Sequence, residues 1–199
     1  MERFQNTRQP DWDWWGWLWP TPGATLRELG VESGESLVEI GSGNGYFALP
    51  AARITDPAPV YAVDVDESLL DELRHLADQQ DVENVVPVHA DARSLADHLP
   101  ERVDTCLLAN TLHGVAGDEQ QTFIEAVFEA LKPGGTFVVI NWRDVPKEST
   151  TIAGEQRGPP PALRLSPEET QRIVENGADF TRTRRVDLPP YHYALIFEA

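Results

Sequence analysis

Leu37-Val38-Glu39-Ile40 is an apolar run carrying one acid. It breaks into Gly41-Ser42-Gly43-Asn44-Gly45 before a helix-like apolar pattern resumes at Tyr46-Phe47. That order reads as strand, glycine loop and helix, the opening of a nucleotide-binding βαβ unit. Glycines allow the tight turn and remove the Cβ atoms that would hold a ligand off the backbone. The free N–H groups at the start of the following helix point back at the same place. The loop alone is a weak constraint; the segments that follow it at regular intervals make it a strong one.

Tyr46 to Ile54 continues as a helix that takes Pro50 within its first turns. Val60-Tyr61-Ala62-Val63-Asp64 is a second buried strand, ending on an acid 23 residues after Gly41. Ser68 to Gln80 has helical spacing, with Leu69, Leu70, Leu73 and Leu76 on one side. Val85 to His89 is a third strand, placed near a sheet edge because Pro87 cannot donate to a ladder. Asp104 to Ala109 is the fourth. Gln120 to Leu131 is a helix closed by Lys132-Pro133-Gly134-Gly135, and Thr136 to Trp142 is the fifth strand. Near-continuous apolar strands alternating with helices specify an α/β fold, a parallel sheet covered on both faces. Arg143 to Leu165 is read as a long loop. Ser166-Pro167-Glu168-Glu169 then opens a helix with a capping box. Phe180 to Asp187 and Tyr191 to Phe197 close the chain as an antiparallel pair.

Residues 21–199 read as a single domain. Its first element is a short helix capped by Thr21 and ended by Gly30, expected to lie against the edge of the first strand. Residues 1–20 form a Trp-rich arm, with Trp12, Trp14, Trp15, Trp17 and Trp19 inside eight positions. Such an arm packs its indoles on the domain, or on a second copy as a homodimer, or serves as a lid whose indole faces suit a cation or a flat group.

The net charge is −17, with 16 Lys and Arg against 33 Asp and Glu. Phosphate neutralisation needs clustered cations, so this balance argues against nucleic acid and against anionic membranes. A cationic partner is one reading of the charge. Acids spread along the whole chain favour the other, a solvating surface suited to high salt as in halophiles. A single cysteine, Cys106, excludes an internal disulfide and any multi-cysteine metal site, and no metal is expected. No apolar run is long enough for a membrane span and no secretory signal opens the chain, so a cytoplasmic location is expected.

In open α/β sheets ligands bind beyond the carboxyl ends of the strands. Gly41-Ser42-Gly43, Asp64, Asp91, Asn110 with His113, and Trp142 with Arg143 stand there in turn. Asp64 suits a ribose, whose two hydroxyls a carboxylate accepts, whereas Asp66 is better placed to cap the next helix. Asp91 suits an exocyclic adenine amine, Ala92 offers a backbone N–H to the ring, and Val65 packs on the base. Two acids beside the ligand suit a nucleoside without phosphate, a cationic one best, and no phosphate loop of the Gly-x-x-x-x-Gly-Lys type is present. His113 is the candidate base, weighed against a helix-start histidine bonded to local backbone. His89 and Cys106 read as structural, and Arg182, Arg184 and Arg185 as balancing local acids.

Four segments carry a family resemblance: Val38-Glu39-Ile40-Gly41-Ser42-Gly43-Asn44-Gly45, Ala62-Val63-Asp64-Val65-Asp66, His89-Ala90-Asp91-Ala92 and Leu131-Lys132-Pro133-Gly134-Gly135. In this order and spacing the chain resembles the class I S-adenosylmethionine-dependent methyltransferases from about Leu26 onward. The resemblance implies a doubly wound, mostly parallel seven-stranded sheet with helices on both faces and the last strand antiparallel. It implies S-adenosylmethionine as cofactor, held by Glu39, Gly41, Ser42, Gly43, Asp64, Val65, Asp91, Ala92 and Asn110. It places the acceptor near Asn110, His113 and Trp142. With nucleic acid disfavoured by charge, a small-molecule acceptor is expected. Two alternatives share the glycine loop. A nicotinamide oxidoreductase would want a third glycine where Tyr46 stands, and a non-catalytic binding module would keep the ligand without turnover.

Overall fold

The computed structural model describes residues 12–199, with side chains from residue 15 onward. The expectations for the arm therefore fall outside the described residues at 1–11, as do the indoles of Trp12 and Trp14. Helices α1 (Trp12–Leu18) and α2 (Pro22–Glu28) precede strand β1 (Leu37–Ile40). The chain continues through α3 (Ala48–Thr55), β2 (Val60–Asp64), α4 (Glu67–Gln79), β3 (Val85–His89), β4 (Val103–Ala109), α5 (Gln120–Ala130) and β5 (Leu131–Trp142). A two-stranded ribbon, β6 (Thr151–Ile152) and β7 (Glu155–Gln156), precedes α6 (Pro167–Gly177) and the closing strands β8 (Thr181–Leu188) and β9 (His192–Glu198).

One seven-stranded sheet runs β3-β2-β1-β4-β5-β9-β8, with β9 antiparallel to both its neighbours. The doubly wound architecture is as expected, and β3 with its Pro87 does sit at an edge. The order reverses between β1 and β4, so the loops after these two strands form the crevice that such sheets offer to ligands. Side chains alternate across the sheet. Leu37, Leu107, Val138, Ile140 and Ala194 pack under α1 to α4, while Val38, Cys106, Leu108, Phe137 and Val139 pack under α5 and α6. Glu39, two residues from Leu37, therefore points at the α3 side.

Several local expectations change. Thr21 makes no side-chain cap, and α2 packs on α3 instead of beside β1, because β1 lies in the middle of the sheet. Strand β5 starts at Leu131: Leu131 pairs with Val103, Gly134 donates to Ala199 O and Ala199 donates back to Gly135 O. Tertiary pairing thus draws the glycine turn into the ladder. The connection from Arg143 to Leu165 is ordered by the ribbon and by the guanidinium of Arg164. That group is 5 % exposed and donates to Pro159 O, Val145 O and Thr150 Oγ1.

The capping box of α6 is formed: Ser166 Oγ accepts from Glu169 N at 3.2 Å, and Glu169 Oε2 accepts from Ser166 N at 2.9 Å. Ser166→Ala is expected to lower stability by about 1 kcal/mol, read as a shifted urea midpoint at unchanged slope. An unchanged midpoint would mean that packing alone fixes the start of α6.

Candidate functional site

The glycine loop is tied to β2 at its root. Gly41 N and Ser42 N both donate to Val63 O, at 2.8 and 3.1 Å. Gly41, Gly43 and Gly45 all have positive φ, at 71°, 55° and 91°. Asp64, at the end of β2, accepts from Gly43 N through Oδ2 at 2.8 Å and from Asp66 N through Oδ1 at 2.9 Å. One carboxylate thus holds two loops in register, and each of its oxygens keeps a lone pair for a further donor. Asp66 caps α4, accepting from Ser68 N at 3.0 Å. Asp66 is thus the helix cap that its position in the sequence suggests.

Glu39 is 2 % exposed. Ala48 N–H, at the start of α3, donates to its carboxylate, while Oε2 has no partner. Burial raises its pKa well above the ordinary glutamate value, and neighbouring Asp64 adds to the effect. Ser42 and Asn44 are buried in the same loop, with Asn44 Nδ2 on Glu72 Oε2 at 3.2 Å.

Along the outer rim, Val65 is 51 % exposed, an apolar side chain turned to solvent directly after Asp64. His89 lies on the surface beside it, with Nε2 3.1 Å from Val65 O. Asp91 accepts from Arg93 N at 3.0 Å and Arg93 Nε at 2.9 Å, and Arg93 also reaches Glu119. Arg93 was not singled out by the sequence, although a cation two residues after Asp91 was visible there. Ala92 opens the 3-10 segment Ala92–His98.

Asn110 follows β4 in the left-handed region, φ 56°, where asparagine is among the few side chains tolerated. Its N–H donates to Ile140 O at 2.8 Å, yet both amide atoms of its side chain are buried without a partner. Thr111 lies against the glycine loop, close enough that a Cβ on Gly41 would meet Thr111 Oγ1 at 2.5 Å. His113, in the 3-10 turn Leu112–Gly114, is half-buried, and burial lowers its pKa to about 4, so it is neutral at pH 7. Trp142 ends β5 and is 4 % exposed, packed by Tyr191 and His192 and overlain by Arg164. Arg143 donates to His192 O and pairs with Asp187. Trp15 and Trp19 of the arm are buried against Tyr46 and Phe47. Those two indoles pack within the chain and are not available as a dimer surface; Trp17 is exposed.

The cluster around the β1 and β4 loops fits S-adenosylmethionine on its own geometry. It has an unpartnered buried carboxylate oxygen at Glu39, which suits an ammonium, and a glycine loop on which Thr111 packs so closely that Gly41 has no room for a Cβ. It also has a strand-end carboxylate for a ribose and an exposed Val65 for a base. Among the described residues no cluster of His, Cys, Asp and Glu is arranged to hold a metal. No helix of theirs is long and apolar enough to cross a membrane.

Residues 37–135 match the model of a methyltransferase domain family. Over 167 residues the chain is 30 % identical to a tRNA (guanine(6)-N2)-methyltransferase of Thermus thermophilus, covering 80 % of this chain and 46 % of that protein. A solved S-adenosylmethionine-dependent methyltransferase from Aquifex aeolicus superposes with a TM-score of 0.76 at 21 % identity, over 89 % of each chain. TrmN from Thermus thermophilus superposes with a TM-score of 0.63 at 22 % identity, over 89 % of this chain and 47 % of that one. The chain thus spans about half the length of the curated relative it matches.

The tRNA-modifying relative overturns the exclusion of nucleic acid and, with it, the small-molecule acceptor. Net charge is a poor guide here because it averages two unlike segments. Residues 1–142 carry 8 Lys and Arg against 24 Asp and Glu, whereas residues 143–199 carry 8 against 9. The acidity thus belongs to the half that contains the glycine loop, and the half beyond β5 is close to neutral. The oxidoreductase alternative loses its footing as well. Glycine loop, strand-end acids, sheet order and matched domain lead to one conclusion: the chain belongs to the class I S-adenosylmethionine-dependent methyltransferases.

Proposed function

We propose that this chain transfers a methyl group from S-adenosylmethionine to an amine nitrogen of a nucleic-acid base. The observation that carries the reading is Asn110, a buried carboxamide with neither atom partnered, at the carboxyl end of β4 and beside the glycine loop. A carboxamide accepts one N–H and donates to an adjacent acceptor, which matches an exocyclic amine next to a ring nitrogen. The acceptor class is that named for the curated relative.

The cofactor supplies a methyl group already activated on a sulfonium, so the protein's part is alignment and exclusion of water. Asp64 accepts from the ribose hydroxyls, Asp91 and Ala92 meet the adenine edge, and Val65 packs on its face. Gly41, Ser42 and Gly43 let the backbone approach the amino acid portion, and Glu39 Oε2 receives its ammonium. Asn110 Oδ1 accepts an N–H of the acceptor amine and turns its lone pair toward the methyl group. A methylated amine must shed a proton, and neutral His113 is placed to receive it. The low pKa of His113 follows from burial, so the ring is uncharged at neutral pH.

A labelled methyl donor offered with an unmodified tRNA transcript, across a salt series, tests the reading. Label is expected in a methylated base after nuclease digestion. Asn110→Ala is expected to lower the rate about a hundredfold while S-adenosylhomocysteine still binds. Tight S-adenosylhomocysteine binding without any label in RNA would reject the nucleic-acid acceptor.

Glu39 provides an independent check. Its folded-state pKa is raised, so the free protein holds this proton more tightly than the unfolded chain does. Its stability falls as pH rises from the ordinary glutamate value through the raised one. An ammonium docked on Glu39 lowers that pKa again. S-adenosylhomocysteine binding inside this window is therefore expected to release a proton, visible as a binding heat that changes with the ionisation heat of the buffer. Equal heats in all buffers would remove Glu39 from the ammonium site.

A further inference from the structure

A second set of orphaned polar atoms lies on the arm side of the same crevice. Trp19 Nε1 and His192 Nε2 are both buried without a partner, in residues 4 % and 1 % exposed. Their rings face one another with centroids 4.6 Å apart and planes at 54°. His192 also meets Trp142 at 4.3 Å, and Tyr191 stacks on Trp142 at 6.2 Å and 14°. Alternation along β5 and β9 puts Trp142 and His192 on the same face of the sheet as Glu39. Trp19 reaches from there to Phe47, just past the glycine loop, with centroids 5.3 Å apart. The cluster therefore bridges the cofactor loop and the end of β5, and β5 is joined to Asn110 through Ile140 O.

Folded proteins leave few buried polar groups unsatisfied, and each such group is costly. Two on facing aromatic rings, packed on the end of the strand to which Asn110 N–H is bonded, point to hydrogen-bonding partners supplied by a ligand. We propose that Trp19, Trp142 and His192 form the slot that receives the acceptor base. A flat heteroaromatic ring stacks on the indoles, Trp19 Nε1–H donates to a ring nitrogen or carbonyl, and His192 Nε2 meets the polar edge. The proposal rests on the nucleobase reading above and deepens it.

The surroundings favour a neutral ring over a cation. Arg164 stands 5.6 Å above Trp142, and Arg143 donates to His192 O, so a cationic guest would meet two guanidinium groups. The same arginines, after burial itself, depress the pKa of His192 to about 3 and keep it uncharged. Base–aromatic stacking asks for this kind of wall. The roof is the arm: Trp19 follows α1 directly, its N–H bonds Trp15 O at 3.0 Å, and its carbonyl accepts from Tyr46 Oη at 2.8 Å. Admission of a base requires the arm to lift from Tyr46, a lid motion that breaks the Tyr46 Oη to Trp19 O hydrogen bond and parts the Trp15 and Tyr46 rings.

The test uses the indole N–H resonances of ¹⁵N-labelled protein saturated with S-adenosylhomocysteine, with guanosine as the probe. The Trp19 resonance is identified by its loss in Trp19→Phe. Guanosine is expected to move that resonance. Trp19→Phe and His192→Phe, which keep aromatic walls but remove one polar atom each, are expected to weaken guanosine binding about tenfold, the worth of one hydrogen bond. Affinity for S-adenosylhomocysteine should be unchanged in both. Absence of guanosine binding, a titration that saturates with the Trp19 resonance in place, or wild-type guanosine affinity in a folded variant would each overturn the slot. The two readings fail separately. Label in RNA with an unmoved Trp19 resonance rejects the slot alone, and a moved resonance with no label in any RNA rejects the methyl acceptor alone.

Discussion

Gly45→Ala is expected to cost about 3 kcal/mol of stability, a large part of the margin of an ordinary domain. Gly45 has φ 91°, a conformation that strains any L side chain by about 1–2 kcal/mol. An added Cβ would also stand 2.2 Å from Leu73 Cδ1 and 3.2 Å from Leu49 Cγ. Leu73 is fully buried in α4 and Leu49 nearly so in α3, so neither can step aside, and overpacking adds about 1–3 kcal/mol. Gly30→Ala separates the two contributions. Gly30 has φ 100° but nothing within 4 Å of the added atom, so it should lose only the backbone part. Urea unfolding of both variants measures the difference. Equal losses would show that the loop yields to the methyl group and that packing against α4 does not set its shape.

The same residues show what a sequence can and cannot disclose. The places of Gly41, Gly43, Asp64, Asp91 and Asn110 at the carboxyl ends of strands were legible because the apolar runs that precede them are, and topology sets the crevice of such a sheet at those ends. Strand β3 was legible as an edge from Pro87 alone. The start of β5 was not, because Gly134 and Gly135 carry turn chemistry that the pairing with Ala199 overrides. The partnership of Trp19 with His192 had no local signal at all: it joins an arm near the amino terminus to the last strand, and only the antiparallel docking of β9 on β5 brings the two together. Arg164 was equally silent, since a guanidinium that gathers carbonyl oxygens within a long loop leaves no periodic trace. Charge was legible as a total and misleading as a location, because 24 of the 33 acids lie before residue 143 while the cations divide equally, 8 on each side.

Asp64→Ala is expected to weaken S-adenosylhomocysteine binding by at least about a hundredfold, near 3 kcal/mol, since in the proposed site two hydrogen bonds from the ribose to a charged acceptor are lost. The ligand contacts are only half of the argument. Gly43 N and Asp66 N lose their acceptor too, so the glycine loop and the β2 loop are no longer fastened to each other. A loop that must be ordered at the moment of binding lowers affinity further, through the fraction of molecules that hold the binding-competent shape. Removal of Asp64 also lifts one of the two causes that raise the pKa of Glu39, so the proton released on binding should become smaller in the variant. Asp66→Ala is the necessary companion. That carboxylate holds Ser68 at the start of α4, so its loss should lower stability by about 1 kcal/mol and leave affinity within a few fold. Calorimetry on the pair decides which acid reads the ribose. If Asp66→Ala were the variant that lost the ligand, the cofactor would lie one turn further out over α4, and Asp64 would be a loop fastener only.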